Sequence, residues 1–335
     1  MNLVTGATGF LGSYLVKHLL KHGEKVRATY RPGSDFSLLG DAKEQVEWVE
    51  ADVLDVCALQ EAMRGINHLY HCAAVVSFLP REYEVMMKVN VEGTANVMNI
   101  AMYAGVKKVM HVSSVAALGF PNSNKVIDEN HIDPSINNRP AYYVSKHYGE
   151  REAWRAAAEG LEVVVVCPST ILGAGWWDEP PNSIFRLVHE GLNFYTGATH
   201  GFVDVRDTAA CMYELMQSGQ SSRKRFIITS ANMTLKSIID LISESLGVSP
   251  PRVHAGDVLL GVAWRLEGIK SLITGKSPVI TRDMANISAT SFSFSNRKIS
   301  EFLGYTFRPV EDTIRQTAAA YLDSVRSGKN YGTFT

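Results

Sequence analysis

The feature that most constrains this chain is the run Thr5-Gly6-Ala7-Thr8-Gly9-Phe10-Leu11-Gly12. It follows a short apolar stretch, Leu3 to Val4, and opens a segment that sets Leu11, Leu15 and Leu19 on one helical face. Glycines so placed suit a strand, a tight turn and a helix. Gly6 permits the turn, Gly9 removes the Cβ that would block a pyrophosphate, and Gly12 lets the helix approach the sheet, while the free N–H groups of the helix start favour phosphate. The spacing differs from the commoner Gly-x-Gly-x-x-Gly, so its position at the first turn of a βαβ unit carries the dinucleotide reading. Thr8, Phe10 and Leu11 are counted with the glycines as cofactor-binding.

The rest of the first half alternates short β-branched runs with longer amphipathic ones. Strands are expected at Leu3 to Val4, Val26 to Tyr30, Val46 to Glu50, His68 to His71, Lys108 to Val112 and Val163 to Cys167. Helices are expected near Leu11 to Lys21, Cys57 to Met63, Tyr83 to Tyr103 and Tyr142 to Ala158. This is the pattern of a doubly wound parallel α/β sheet of the Rossmann type. After Pro168, scattered glycines and prolines break the periodicity, and a smaller, mostly helical C-terminal lobe is expected. Strand-like Phe202 to Val205 and Phe226 to Thr229 suggest that the chain returns to the sheet, and helices near Leu235 to Leu246 and Val310 to Ser324 finish it. The division expected is residues 1–170 for the dinucleotide domain, with a return at 202–229, and residues 171–201 and 230–335 for the substrate-binding lobe.

Charge narrows the partners. With 33 Lys and Arg against 34 Asp and Glu in 335 residues, nothing drives the chain toward nucleic acid or an anionic membrane. Small molecules are the expected partners. The N-terminus shows no basic-then-apolar leader and no apolar run reaches the roughly 18 residues of a membrane span, so a cytoplasmic location is expected. Cys57, Cys72, Cys167 and Cys211 are too widely spaced for a Cys-x-x-Cys motif and read as reduced core residues; no metal site is expected.

After the second strand the chain reads Tyr30-Arg31-Pro32-Gly33-Ser34, with no acid until Asp35. An acid there accepts from a ribose hydroxyl, whereas an arginine pairs with the extra phosphate of NADP, so Arg31 favours NADP(H) while leaving NAD(H) open. Asp52 and Val53 follow the third strand, where an adenine would lie, although an Asp there is also a common helix cap.

Tyr142 and Lys146 are four residues apart in a helical pattern, which puts phenol and ammonium on one face. A neighbouring cation is expected to lower the tyrosine's pKa from about 10, fitting Tyr142 as proton donor. Tyr143 has His147 at the same spacing and is the weaker candidate. Ser113 and Ser114 fall at the carboxyl end of a strand, where such sheets hold ligands and a hydroxyl can orient a substrate oxygen.

Together these residues resemble the extended short-chain dehydrogenase/reductase superfamily (the NAD-dependent epimerase/dehydratases) over essentially the whole chain. The matching pieces are Thr5 to Gly12, Asp52-Val53, His71-Cys72-Ala73-Ala74, Asn90 to Thr94, Val112-Ser113-Ser114, Tyr142-x-x-x-Lys146, Pro168-Ser169-Thr170 and Val203 to Asp207. Val26 to Arg31 and the paired serines look most like the dihydroflavonol-4-reductase-like branch. The resemblance implies Ser114, Tyr142 and Lys146 as active-site residues, with Lys146 also holding the nicotinamide ribose, and Asn90 as support behind the lysine. It implies Ala73, Ala74 and Val75 along the cofactor, and Pro168, Ser169, Thr170 and Ile171 over the nicotinamide. In that superfamily the helices at Tyr83 to Tyr103 and Tyr142 to Ala158 commonly form a dimer bundle, though the closest branch includes monomers, so a homodimer is allowed and not required.

The implied reaction is reversible hydride transfer between nicotinamide and a carbonyl carbon. Family members acting on nucleotide sugars carry an asparagine after the sixth strand and an arginine before the Val-x-Val-x-Asp segment. Here those places read Val166-Cys167-Pro168-Ser169 and Thr199-His200-Gly201-Phe202. A small or apolar ketone or aldehyde therefore leads, with Phe78, Trp176 and Trp177 beside Ser114 as pocket candidates. A nucleotide-sugar epimerase or dehydratase that retains NAD is the second reading, and a non-catalytic dinucleotide sensor the third.

Overall fold

A computed structural model describes residues 1–120, 126–256, 261, 264, 265 and 281–334. The buried β-branched runs form a seven-stranded sheet ordered β10-β6-β5-β4-β1-β2-β3, every neighbouring pair parallel. Its strands are β1 (Asn2–Thr5), β2 (Val26–Tyr30), β3 (Glu47–Glu50), β4 (His68–His71), β5 (Lys108–Val112), β6 (Glu162–Pro168) and β10 (Lys224–Ile228). The order reverses between β1 and β4, and ligands of such sheets lie outside the carboxyl ends of the strands at that switch.

Both faces are covered, which is why the strands read as near-continuous apolar runs. On one face α1 (Phe10–Lys21) and α7 (Val205–Gln217) bury Leu15, Leu19, Met212 and Leu215 against Val4, Tyr70 and Val164. On the other, α2 (Val56–Ala62), α4 (Gly93–Tyr103) and α5 (Ala141–Ala158) bury Leu59, Val97, Met98 and Ala153 against Leu3, Leu69 and Val163. Lys108, buried at the start of β5, spends its ammonium on the carbonyls of Leu215, Met216 and Ser218 and the Ser221 hydroxyl, capping the α7 C-terminus.

The open edge of β10 is covered by a loop. Glu129 is buried, its carboxylate accepts the Ile227 N–H at 2.9 Å, and its carbonyl accepts from Arg225 at 2.9 Å.

Three expectations are corrected. Of the two late strands, only the second joins the main sheet. The first, β9 (Thr199–Asp204), lies in a three-stranded sheet with β7 (Thr170–Leu172) and β11 (Ala231–Thr234), because the break after Pro168 diverts the chain. The single helix expected over Tyr83 to Tyr103 is divided into α3 (Tyr83–Met86), a π turn (Met87–Glu92) and α4. Cys57 is exposed on α2, whereas Cys167 and Cys211 are buried.

Around the small sheet, α6 (Ser183–His189), α8 (Leu235–Leu246) and the helix Val310–Ser327 bury a separate core of Leu172, Trp177, Phe185, Ile242, Ile314 and Tyr321. Among the described residues no helix is long and apolar enough to cross a membrane.

Candidate active site

The glycine turn has almost no room for side chains. A Cβ on Gly6, whose φ is +68°, would sit 2.6 Å from the Ala73 nitrogen, and one on Gly12 would sit 2.1 Å from the Gly6 carbonyl oxygen. Gly9 is looser, at 3.2 Å from that oxygen, and as N-cap of α1 it brings no side-chain cap; no acid stands in the first turn. The N–H groups of that turn are thus left for an anion, and a dinucleotide phosphate fits the cradle. Thr8, Phe10 and Leu11 complete it, with the Phe10 ring edge-on to Tyr14.

Past the carboxyl end of β2, the strand beside β1, Arg31, Gly33, Ser34 and Asp52 border a cavity of about 400 Å³. Arg31 is 64 % exposed and 3.7 Å from the Asp52 carboxylate, so the guanidinium is loosely held. Asp52 closes a turn onto the Leu54 N–H, and Asp55 is the actual cap of α2. Val53 is buried against Gly93.

Ser114, Tyr142 and Lys146 come together at the carboxyl end of β5. Ser114 accepts the Ala116 N–H at 3.1 Å, and its hydroxyl acts on Tyr142 by lowering the phenol's pKa. Ser113, by contrast, is buried and donates to Glu150 at 2.6 Å, so the two serines are told apart. Tyr143 is buried edge-on to Phe120. Lys146 reaches the Val112 carbonyl at 2.8 Å, and burial lowers its pKa to about 8 against the opposing pull of Cys167, Glu150 and Cys72. One expectation reverses here: Tyr142 is pushed above its ordinary range, because burial outweighs the lowering by Ser114.

Behind these groups runs a hydrogen-bonded chain that the sequence did not disclose. Asn90, in the π turn, accepts the Val75 N–H at 2.7 Å and donates to the Val75 carbonyl and to Ser145, which donates in turn to the Tyr142 carbonyl. Thr94 gives its hydrogen to the Asn90 carbonyl at 2.7 Å, so it must accept from Nε2 of His71 at 3.0 Å; Nδ1 of His71 then accepts from Thr5 at 2.8 Å. Burial keeps His71 neutral, with its pKa lowered to about 3. The chain links the strand that enters the glycine turn to the backbone of the tyrosine. It needs α5 close to the π turn, and Gly149 provides that, since a Cβ there would lie 2.3 Å from the Asn90 carbonyl.

The remaining expected residues divide. Ala73, Ala74 and Val75 follow β4 beside Gly6, and Pro168 to Ile171 form the passage from β6 to β7, where the Ser169 hydroxyl is spent on Thr229. Of the three aromatic candidates, Phe78 packs edge-on to Tyr142, with ring centroids 5.7 Å apart. Trp176 instead donates to Asp35 in the loop after β2, and Trp177 is buried against Phe185 and Tyr321. The bonds and ring contacts of both tryptophans thus lie away from the tyrosine. In their place stands Phe120, missed in the sequence, which joins Phe78, Ala116, Ile136 and the two tyrosines in one cluster. Gly119 at positive φ just before it was the available signal. Asp207, in the segment Val203 to Asp207 that carries part of the family resemblance, is tied to Arg308 and Tyr305 as a structural link.

The chain is similar to known proteins over nearly its whole length. Residues 2–228 match the model of the NAD dependent epimerase/dehydratase family. The protein named "Putative dihydroflavonol 4-reductase" from Synechocystis sp. is 32 % identical over 98 % of this chain and 94 % of its own length. Cinnamoyl-CoA reductase 1 of Petunia hybrida is 30 % identical over 94 % of this chain and 90 % of its own. The structure of DesIV, a dTDP-glucose 4,6-dehydratase from Streptomyces venezuelae with NAD and TYD bound, superposes with a TM-score of 0.79 at 21 % identity, covering 98 % of both chains, and shows the shared fold. Motif order, sheet order and these matches lead to one conclusion: the chain belongs to the NAD dependent epimerase/dehydratase family of extended short-chain dehydrogenase/reductases, whose chemistry depends on a nicotinamide dinucleotide.

Proposed function

We propose that this protein reduces the carbonyl of a small, largely apolar ketone or aldehyde to an alcohol, reversibly and with preference for NADP(H). The observation that supports it best is that one helix carries Tyr142 and, a turn further on, Lys146, whose ammonium reaches the Val112 carbonyl at the end of the strand that leads to Ser114. In this reading residues 1–170 and the return through α7 and β10 hold the dinucleotide: the turn from Gly6 to Gly12 at the pyrophosphate, Arg31, Asp52 and Val53 at the adenosine, Ala73 to Val75 along its middle, and Lys146 with Pro168 to Ile171 at the nicotinamide end. The lobe of residues 171–201 and 230–335 shapes the substrate side. The nicotinamide, when bound, supplies the hydride. Ser114 donates to the carbonyl oxygen and fixes its direction, Tyr142 gives that oxygen its proton, and Asn90 holds the helix so that Lys146 stays beside the tyrosine. A tyrosine whose pKa is raised remains protonated at neutral pH, which suits a donor.

Two measurements test this. In a screen of NADPH oxidation over carbonyl compounds grouped by polarity, Tyr142→Phe should lower kcat by about 100-fold or more on every compound that responds. Turnover within threefold of wild type would remove the tyrosine from the chemistry. Because burial sets Lys146 to about 8, its positive charge is lost as pH rises through that value while Tyr142 stays protonated, so kcat/KM should fall above pH 8. A profile flat to pH 9.5 would contradict the lysine's role.

A further inference from the structure

At the start of α5, a cavity of about 530 Å³ is bordered by Phe120, Tyr83, Arg139, Pro140 and Ala141 together with Arg282 and Asp283, and Phe120 joins it to the cluster that holds Tyr142. Arg139 stands three residues before Tyr142, and it is held in an unusual way. Its Nε donates to Asp133 at 2.6 Å, and its guanidinium lies 4.5 Å from the centroid of the Phe120 ring. The Asp133 side chain is 0 % exposed and also accepts the N–H groups of Phe120 at 2.9 Å and Ser135 at 2.8 Å. A Cβ at Gly119 would fall 2.4 Å from an Asp133 carboxylate oxygen, so the glycine makes room for this support.

A buried carboxylate on Nε and a ring against the plane leave one edge of the guanidinium free. Arg139 borders the cavity, and its Nη groups hydrogen-bond none of the described residues. That edge is a preorganised bidentate donor for a planar anion, with its side-chain entropy already spent. Arg282 borders the same space, but no described residue fixes its guanidinium as Asp133 and Phe120 fix that of Arg139, so the preorganised group is Arg139.

We propose that Arg139 is an anion fork for the substrate: the compound reduced carries a carboxylate or a phosphate on the side away from its reacting carbonyl, with the apolar part between them against Phe78 and Phe120. The inference rests on the reductase reading and refines its substrate class.

The test compares kcat/KM for 4-carboxybenzaldehyde and 4-formylphenyl phosphate with that for 4-methylbenzaldehyde, in wild type, Arg139→Met and Arg139→Lys, alongside calorimetric binding of benzoate and phenyl phosphate. At least one anionic aldehyde should exceed the neutral one by tenfold or more in wild type, and which of the two does so identifies the anion. Arg139→Met should bring that ratio to within threefold of unity. If Arg139→Met fails to fold because Asp133 loses its partner, Arg139→Lys decides, since it keeps a cation on Asp133 but cannot form the fork; its ratio should fall at least fivefold. Equal kcat/KM for anionic and neutral aldehydes in wild type, or a ratio that neither variant changes, would overturn the fork. If no aldehyde oxidises NADPH while benzoate or phenyl phosphate binds wild type and not the variants, the fork stands and the reductase reading falls.

Discussion

The two ends of the crevice are built by opposite means. At the glycine turn the recognition surface is backbone, and side chains are excluded: a Cβ on Gly6 or Gly12 would overlap main-chain atoms. Around Phe78, Phe120 and Arg139 the surface is made of side chains, held by ring contacts and a buried carboxylate. A backbone site serves one ligand shape and tolerates little change, whereas a side-chain site can be retuned one residue at a time. A cofactor end that resists substitution beside a substrate end that accepts it follows from that difference in materials.

The contrast can be broken most severely at Gly12. Gly12→Ala must displace the Gly6 carbonyl, so dinucleotide affinity measured by fluorescence titration should weaken by about 100-fold or more, with a lower Tm; Gly9→Ala, with looser surroundings, should do clearly less. Equal affinities for both variants and wild type would show that the turn is softer than its geometry. The hydrogen-bonded chain joins the two ends, and Thr94→Val cuts it at nearly constant volume. We expect kcat to drop about tenfold with the dinucleotide Kd within threefold, and Thr94→Ser to restore most of it. A purely structural threonine would change Tm and leave kcat alone. The smallest effect is expected at Arg31: Arg31→Ala should reduce the NADPH over NADH preference by about fivefold, because a mostly exposed guanidinium is screened by water and salt. An unchanged ratio of the two dissociation constants would assign the preference elsewhere.

This division also explains what could be read from the chain in advance. The strands β1, β2, β4 and β5, the glycine turn and the Tyr142 and Lys146 pair were legible because each depends on near neighbours in sequence and on spacing. Long-range partners were not. The resemblance points to Ser114, but the partner that occupies Ser113, Glu150, lies 37 residues further on and is not signalled by spacing. The π turn at Asn90 spans only Met87–Glu92, too short for its own period to be read from the sequence. Trp176 and Trp177 looked like pocket residues by composition, and only the packing of the second core against Phe185 and Tyr321 places Trp177 elsewhere. The raised pKa of Tyr142 likewise follows from burial, which spacing to a lysine does not report.

The loop that carries Glu129 onto the rim of the sheet has a bearing on how such a protein can diversify. Glu129 comes ten residues before Arg139 in the chain, so the described stretch that leads to the mouth of the crevice also seals β10 against pairing with another molecule. Redesigning that stretch wholesale would bare an adhesive flank and invite aggregation. New selectivity is therefore cheapest through exchange of single residues at the mouth, with the stretch that leads to it kept as a seal.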